Sequence, residues 1–444
     1  VDTIYVSTVL AQIFFLKSKA RLASMRILAL IPWIPSFLWC VAFLTIILGT
    51  EILIPQSRIT SDFHLNFYSA GYLVGHNEAG ILYPSADATS FINTPFDQFL
   101  HQFYAGLSNN LYGTFLYTPL VAAMFSVFSP LPVNIALLVY QALNLAGIAW
   151  IGLKAERAFG IDARKVFLGS LMFFPIAGTL WLGQVSMIFG LFPLAVGYFL
   201  LQKNKSVLAG LVFALMSLKP QLAPVPFIIA IATGNWRCLA ALMQGCVALL
   251  VLNIFCLTPA VFFQWLFDTT RLASGMFTTN VSHLIACVPG TLIMCLPETA
   301  PPYTKWIVFG GAAGFAGIAM LFSLWHVKKN APLTDQLAIT TIIALLTLPV
   351  YSRLFNYDLA ILYFAGLLMF SNQWSAKISH SMRGLAIVMW IGLNLQFVVA
   401  ANGTRSVSPL LTGLMLTIFG AWGCVLATKI DKEQAPVSEK QTLP

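Results

Sequence analysis

Charge is scarce in this chain, and the scarcity narrows what the chain can be. Asp, Glu, Lys and Arg make up 9% of its 444 residues and hydrophobic residues 59%, whereas soluble domains carry about 25% charge. An ordinary soluble domain is excluded. Apolar runs of roughly 20 residues, the length a helix needs to cross a bilayer core, recur from end to end between short polar joints. Also missing is any C-x-x-C pair or metal-ligand spacing: Cys40, Cys238, Cys246, Cys256, Cys287, Cys295 and Cys424 all lie in apolar stretches. Cysteine chemistry is not expected. The net charge of +9 is not gathered into a basic stripe or tail, so no nucleic-acid partner is expected; the cations sit in short joints, where they report topology. No internal duplication is visible, and inverted repeats are the usual mark of alternating-access transporters.

What is present reads as an all-α polytopic membrane protein. An apolar patch at 9–16 is followed by Lys17, Lys19, Arg21 and Arg26, the reverse of the order in a secretory signal. Residues 1–26 therefore read as a cytoplasmic or interfacial N-terminus, and 27–54 as the first span, leaving the cytoplasm where those cations anchor it. The polar interval 55–110 is then external, and its only Lys or Arg is Arg58, against Asp62, Glu78, Asp87 and Asp97. Phe63, Phe67, Tyr68 and Tyr72 recur at helical spacing, which predicts an amphipathic helix on the membrane surface with Asp62 at its N-terminus.

Beyond the loop, 111–128 reads as a re-entrant or half-membrane segment, 133–152 as an inward span and 154–165 as a cytoplasmic joint. The stretch 166–181 runs outward to the turn at Gly183-Gln184, and 185–201 returns. Residues 207–233 are apolar but broken by Leu218-Lys219-Pro220-Gln221. A lysine inside an apolar span costs about 3 kcal/mol or more and is functional by default, and Pro220 disrupts the helix around it. Spans at 236–257, 281–296, 304–327, 336–350, 359–370, 384–400 and 407–428 follow, with an amphipathic stretch at 261–272 and a cytoplasmic tail at 429–444. The total is about 12 transmembrane helices across 27–428, with both termini inside a cytoplasmic (inner) membrane.

This topology places Asp62, the Gly183-Gln184 turn and the cluster Arg353 to Asp358 on the external face, with Lys219 in reach. A carboxylate can take the proton of an incoming hydroxyl, a cation can hold a departing phosphate and an amide can read sugar hydroxyls. Each residue also has a plainer use. Asp62 can cap a helix after Ser61, Gln184 can satisfy a turn, Lys219 can snorkel or bind a carbonyl, and Arg353 can pair with Asp358.

The order of Asp62, Gly80-Ile81-Leu82-Tyr83, Tyr117-Thr118-Pro119-Leu120, Leu182-Gly183-Gln184, Gly210 to Lys219-Pro220 and Tyr357-Asp358 resembles glycosyltransferase family 87 over about 27–367. The resemblance implies a GT-C type bundle with a large first external loop. It implies an inverting hexosyltransferase that takes a sugar, typically mannose, from a polyprenyl-phosphate donor to a glycolipid or glycan acceptor outside the cytoplasm. By resemblance Asp62 is the catalytic base, Gln184 and Lys219 are substrate contacts, and no metal or other cofactor is needed. Tyr117, Gln221, Arg353, Asn356, Tyr357 and Asp358 complete the expected substrate contacts, with Lys219 and Arg353 on the carrier phosphate. The mannosyltransferases of the family carry paired histidines after a Pro-x-Ser-Trp stretch; here Pro349-Val350-Tyr351-Ser352 continues without histidine. The alternative, from another functional class, is a transporter or flippase of lipid-linked sugars.

Overall fold

The computed structural model describes residues 61–108, 111–273, 333–352 and 354–371, with scattered positions between 287 and 393. The expected first span, the spans at 281–296, 384–400 and 407–428, the tail, and Arg353 lie outside the described residues. Among the described residues the chain is helical, with no β-strand. Two helices are long and apolar enough to cross a membrane, Val133–Phe159 and Trp236–Phe255. Ala163–Leu171 and Phe174–Leu182 are separate helices bent by 65°, and count as a third span only if taken together. The stretch expected to run outward, 166–181, is bent where these two helices join. Phe173 is extended and Pro175 stands at the start of the second helix, where a residue without an N–H is tolerated in a helix first turn but not in its interior.

The other apolar helices among the described residues run 10–17 residues. Pro119–Phe128 is one of them, and at 1.5 Å per residue it extends about 15 Å, roughly half a hydrocarbon core. That length suits the expected half-membrane segment. The stretch 207–233 breaks where the sequence predicts: Ser206–Ala214 tightens into a 3-10 turn at Leu215–Leu218, Lys219 leaves helical geometry (φ −124°, ψ 84°), and Pro220 opens a new 3-10 turn.

The aromatic stripe after Asp62 does form a helix, as a π-helical turn Phe63–Tyr68 running into Ser69–Gly75. It does not lie on a surface. Phe63 and Phe67 are fully buried and Tyr68 nearly so. Phe63 packs on Tyr140, ring centroids 5.2 Å apart, and Phe67 stacks on Phe125 at 5.1 Å. Gly71 allows the approach: a Cβ there would strike the backbone of Phe125. The helix is thus a core element, sandwiched between Pro119–Phe128 and Val133–Phe159. Its burial fixes the position of Asp62 far more tightly than a floating interfacial helix would.

A second core joins Phe174–Leu182, Phe192–Gln202, Leu333–Tyr351 and Leu362–Met369. The helix that opens at Pro259 carries Gln264, Trp265 and Arg271 back over residues 83–88 and Leu116. Gln264 Nε2 donates to the carbonyls of Tyr83 and Pro84, Trp265 Nε1 to that of Leu116, and Arg271 to those of Ala86 and Ala88. Segments far apart in sequence are strapped together on this side of the protein.

Candidate active site

The two cores meet around a chain of polar side chains drawn from five stretches of sequence. It starts at Asp62. Although Asp62 opens a helix, its side chain makes no capping hydrogen bond; that role falls to Ser61, whose Oγ accepts from the His64 N–H at 3.4 Å. The Asp62 carboxylate points elsewhere. Its Oδ2 accepts from Gln184 Nε2 at 2.6 Å and its Oδ1 from Asn66 Nδ2 at 3.1 Å. The aspartate is half-buried and an ionised carboxylate accepts about four hydrogen bonds, so lone pairs remain for an incoming hydroxyl.

Gln184 is buried and its side chain is oriented from both ends: Nε2 donates to Asp62 while Oε1 accepts from the Tyr117 hydroxyl at 3.2 Å. Its backbone carbonyl accepts from the Tyr140 hydroxyl at 2.8 Å. The turn depends on Gly183, at φ +64°, a left-handed conformation that costs an L-residue about 1–2 kcal/mol. A Cβ on Gly183 would also collide with the Cβ of Phe63, the residue next to Asp62. Gly183→Ala is therefore expected to destabilise the protein by at least about 1–2 kcal/mol and to lower activity. Thermal unfolding in detergent beside a transfer assay checks both.

Two residues on, Ser186 starts the second half of the network. Ser186 Oγ accepts from Lys219 Nζ at 2.6 Å and donates to Asp358 Oδ1 at 2.9 Å. Lys219 and Asp358 form an ion pair at 2.5 Å in which both side chains have 0% exposure. The other Asp358 oxygen accepts from the Phe355 N–H at 3.0 Å, and the Lys219 ammonium sits 5.1 Å from the centroid of the Tyr357 ring. The Tyr357 carbonyl accepts from Thr179 Oγ1, and that of Gln221 from Ser352 Oγ. Asn356 is 3% exposed, and neither its amide oxygen nor its nitrogen has a hydrogen-bond partner among the described residues.

The structure thus brings together Asp62, Tyr117, Gln184, Lys219, Tyr357 and Asp358, with Asn356 and Gln221 beside them. Lys219 does not snorkel: it is held by Asp358, because a buried ammonium demands a nearby carboxylate. Sequence reasoning missed Ser186, Asn66 and Tyr140. Asn66 lies one helical turn from Asp62, a spacing that could have found it; the other two carry no local signal.

Burial pushes the Asp62 carboxyl above its ordinary range, opposed by the Gln184 hydrogen bond, the Lys219 ammonium and Asn66, and assisted by the Asp358 charge. Because the folded state holds the proton more tightly, this site contributes stability as pH falls through the raised value and loses it as pH rises, the reverse of a salt-bridged carboxylate. Chemistry that needs the ionised form is then expected to fail on the acid side above the usual aspartate value of about 3.9. The acid limb of a kcat/KM profile measures this directly.

The model of glycosyltransferase family 87 matches residues 115–349, more than half of the chain. The chain belongs to glycosyltransferase family 87. The match begins after Asp62 and ends before Asn356, so it is narrower than the resemblance read over 27–367; it contains Tyr117, Gln184, Ser186 and Lys219. With its apolar helices, membership makes the chain a membrane glycosyltransferase by family, and the transporter alternative draws no support from it. No curated protein and no solved structure matches the chain.

Proposed function

We propose that this family 87 chain transfers a sugar, with mannose as the first candidate, from a polyprenyl-phosphate donor to a glycolipid or glycan acceptor, with inversion and with Asp62 as general base. The observation that carries the proposal is the Asp62 carboxylate, freed from helix capping and held by Gln184 and Asn66 in a residue that keeps partial exposure. In the transfer step Asp62 takes the proton of the acceptor hydroxyl as its oxygen bonds to the anomeric carbon. The bond from that carbon to the phosphate oxygen breaks and leaves polyprenyl phosphate with the electron pair.

Gln184 orients the base and keeps one N–H for a sugar hydroxyl. The amide of Asn356, without a partner among the described residues, suits the same task, since a buried amide left without partners costs about 1–3 kcal/mol that a hydroxyl pair would offset. Tyr117, Gln221 and Tyr357 are the further substrate contacts of this reading. The carrier phosphate falls to Arg353, a cation three residues before Asn356 in the sequence. A monophosphate leaving group can be neutralised by side-chain cations, so no metal or other cofactor is invoked. The site faces the exterior of a cytoplasmic membrane, in a GT-C type bundle of about 12 spans.

Purified protein in lipid, incubated with radiolabelled polyprenyl-phosphate mannose and a crude glycolipid extract, tests the reading. Label should enter glycolipid with the wild type and not with Asp62→Ala. Equal transfer by both proteins would remove Asp62 as base, and transfer from another sugar carrier alone would remove mannose.

A further inference from the structure

The buried ion pair has no part in the transfer step written above, yet it is the most tightly held polar group beside the base. The Lys219 ammonium contacts Asp358 and Ser186 and lies over the Tyr357 ring, with no exposed surface. Two of its three N–H donors are committed in this way, to Ser186 and Asp358. What the pair does hold is Ser186, which receives a hydrogen bond from one partner and gives one to the other. Ser186 closes the turn that Gly183 opens, and the residue between them that matters is Gln184, whose amide is 2.6 Å from the Asp62 carboxylate.

We infer that the Lys219–Asp358 pair is a positioning device, which clamps Ser186 and so fixes the 183–186 turn that aims Gln184 at Asp62. The inference rests on the reading of Asp62 as base. Its physical ground is the nature of a buried ion pair, which adds little net stability but demands one geometry of everything bonded to it. Each partner is set by its own backbone: Lys219 by the break before Pro220 and Asp358 by the 3-10 turn Asn356–Ile361. Ser186 precedes a π-helical turn, Met187–Leu191, as Asp62 precedes Phe63–Tyr68. Such turns are frequent at functional sites, and their local widening re-aims the residues that flank them. A misplacement of about 1 Å in such a constellation can cost about a hundredfold in rate.

The test is Ser186→Ala, which cuts the clamp from the turn and leaves the ion pair in place. Amide exchange at 184–186 should rise about tenfold or more, while exchange in the Trp236–Phe255 helix stays as in the wild type. With polyprenyl-phosphate mannose and the glycolipid extract, kcat should fall about tenfold to a hundredfold and the donor KM should stay within about twofold. The second variant, Lys219→Met with Asp358→Leu, removes both charges and should behave like Ser186→Ala. Unchanged exchange at 184–186 in Ser186→Ala overturns the inference. A donor KM raised about tenfold or more in the double variant, with kcat preserved, also overturns it by assigning Lys219 to the phosphate. Normal turnover by Asp62→Asn would sink the base reading alone, and the exchange result would still judge the clamp. If the wild type does not use this donor, the exchange measurement decides by itself.

Discussion

Asp62→Asn is expected to lower kcat by about 10²–10⁴-fold, the usual contribution of a positioned general base, while leaving donor binding near the wild-type value. Asparagine keeps the size of the side chain and can still hydrogen-bond to Gln184 and Asn66, whose amides are held 2.6 Å and 3.1 Å from the carboxylate. It cannot take a proton. The loss should therefore appear in turnover rather than in folding or affinity, and the acid limb set by the raised Asp62 pKa should vanish from whatever activity remains. The groups that face this carboxylate and shape its titration are Lys219, Asp358, Gln184 and Asn66. Asn66→Ala, which removes the weaker of its two hydrogen bonds, should cost much less. Steady-state kinetics in proteoliposomes with both variants separates the two effects. A kcat for Asp62→Asn within about tenfold of wild type would place the base elsewhere.

Single replacements in the buried ion pair are expected to be the most destabilising of the polar substitutions in the site. Lys219→Met leaves the Asp358 carboxylate with no counter-charge at 0% exposure, and Asp358→Leu leaves the ammonium so. Removing one partner of a buried pair costs about 3–5 kcal/mol, whereas replacing both by apolar groups of similar volume is often neutral. Lys219→Met with Asp358→Leu should therefore unfold later than either single variant, by a coupling of about the same size as the single losses. Thermal unfolding followed by tryptophan fluorescence in detergent measures the cycle. Additive losses in the double variant would mean that the two charges do not depend on each other, contrary to their 2.5 Å separation.

Much of the framework is legible along the chain, because bilayer-length apolar runs and short cationic joints are local features of sequence. The break at Lys219-Pro220 is legible for the same reason: a proline without an N–H and a lysine within an apolar run each announce a departure from plain helix. The polar members Asp62, Gln184, Lys219 and Asp358 stand out one by one against an apolar background. Helical spacing of Phe63, Phe67, Tyr68 and Tyr72 predicts the helix correctly but not what covers its face. Lipid and packed protein make the same demand for apolar side chains, so periodicity alone cannot tell a surface helix from the buried one found here.

Partnership is what the tertiary structure decided. Asp62 meets Gln184 across 122 residues and Ser186 meets Asp358 across 172, distances over which no pattern in the sequence couples one side chain to another. The 65° bend after Leu171 and the left-handed turn at Gly183 bring those side chains to one place. Ser186 is an ordinary serine until Lys219 and Asp358 close around it. The sequence by itself determined that this chain is a helical membrane protein with a few costly polar residues, because insertion in a bilayer is read residue by residue. Which of those residues answers which was left to packing, because a buried charge takes its partner from whatever the fold brings within about 4 Å.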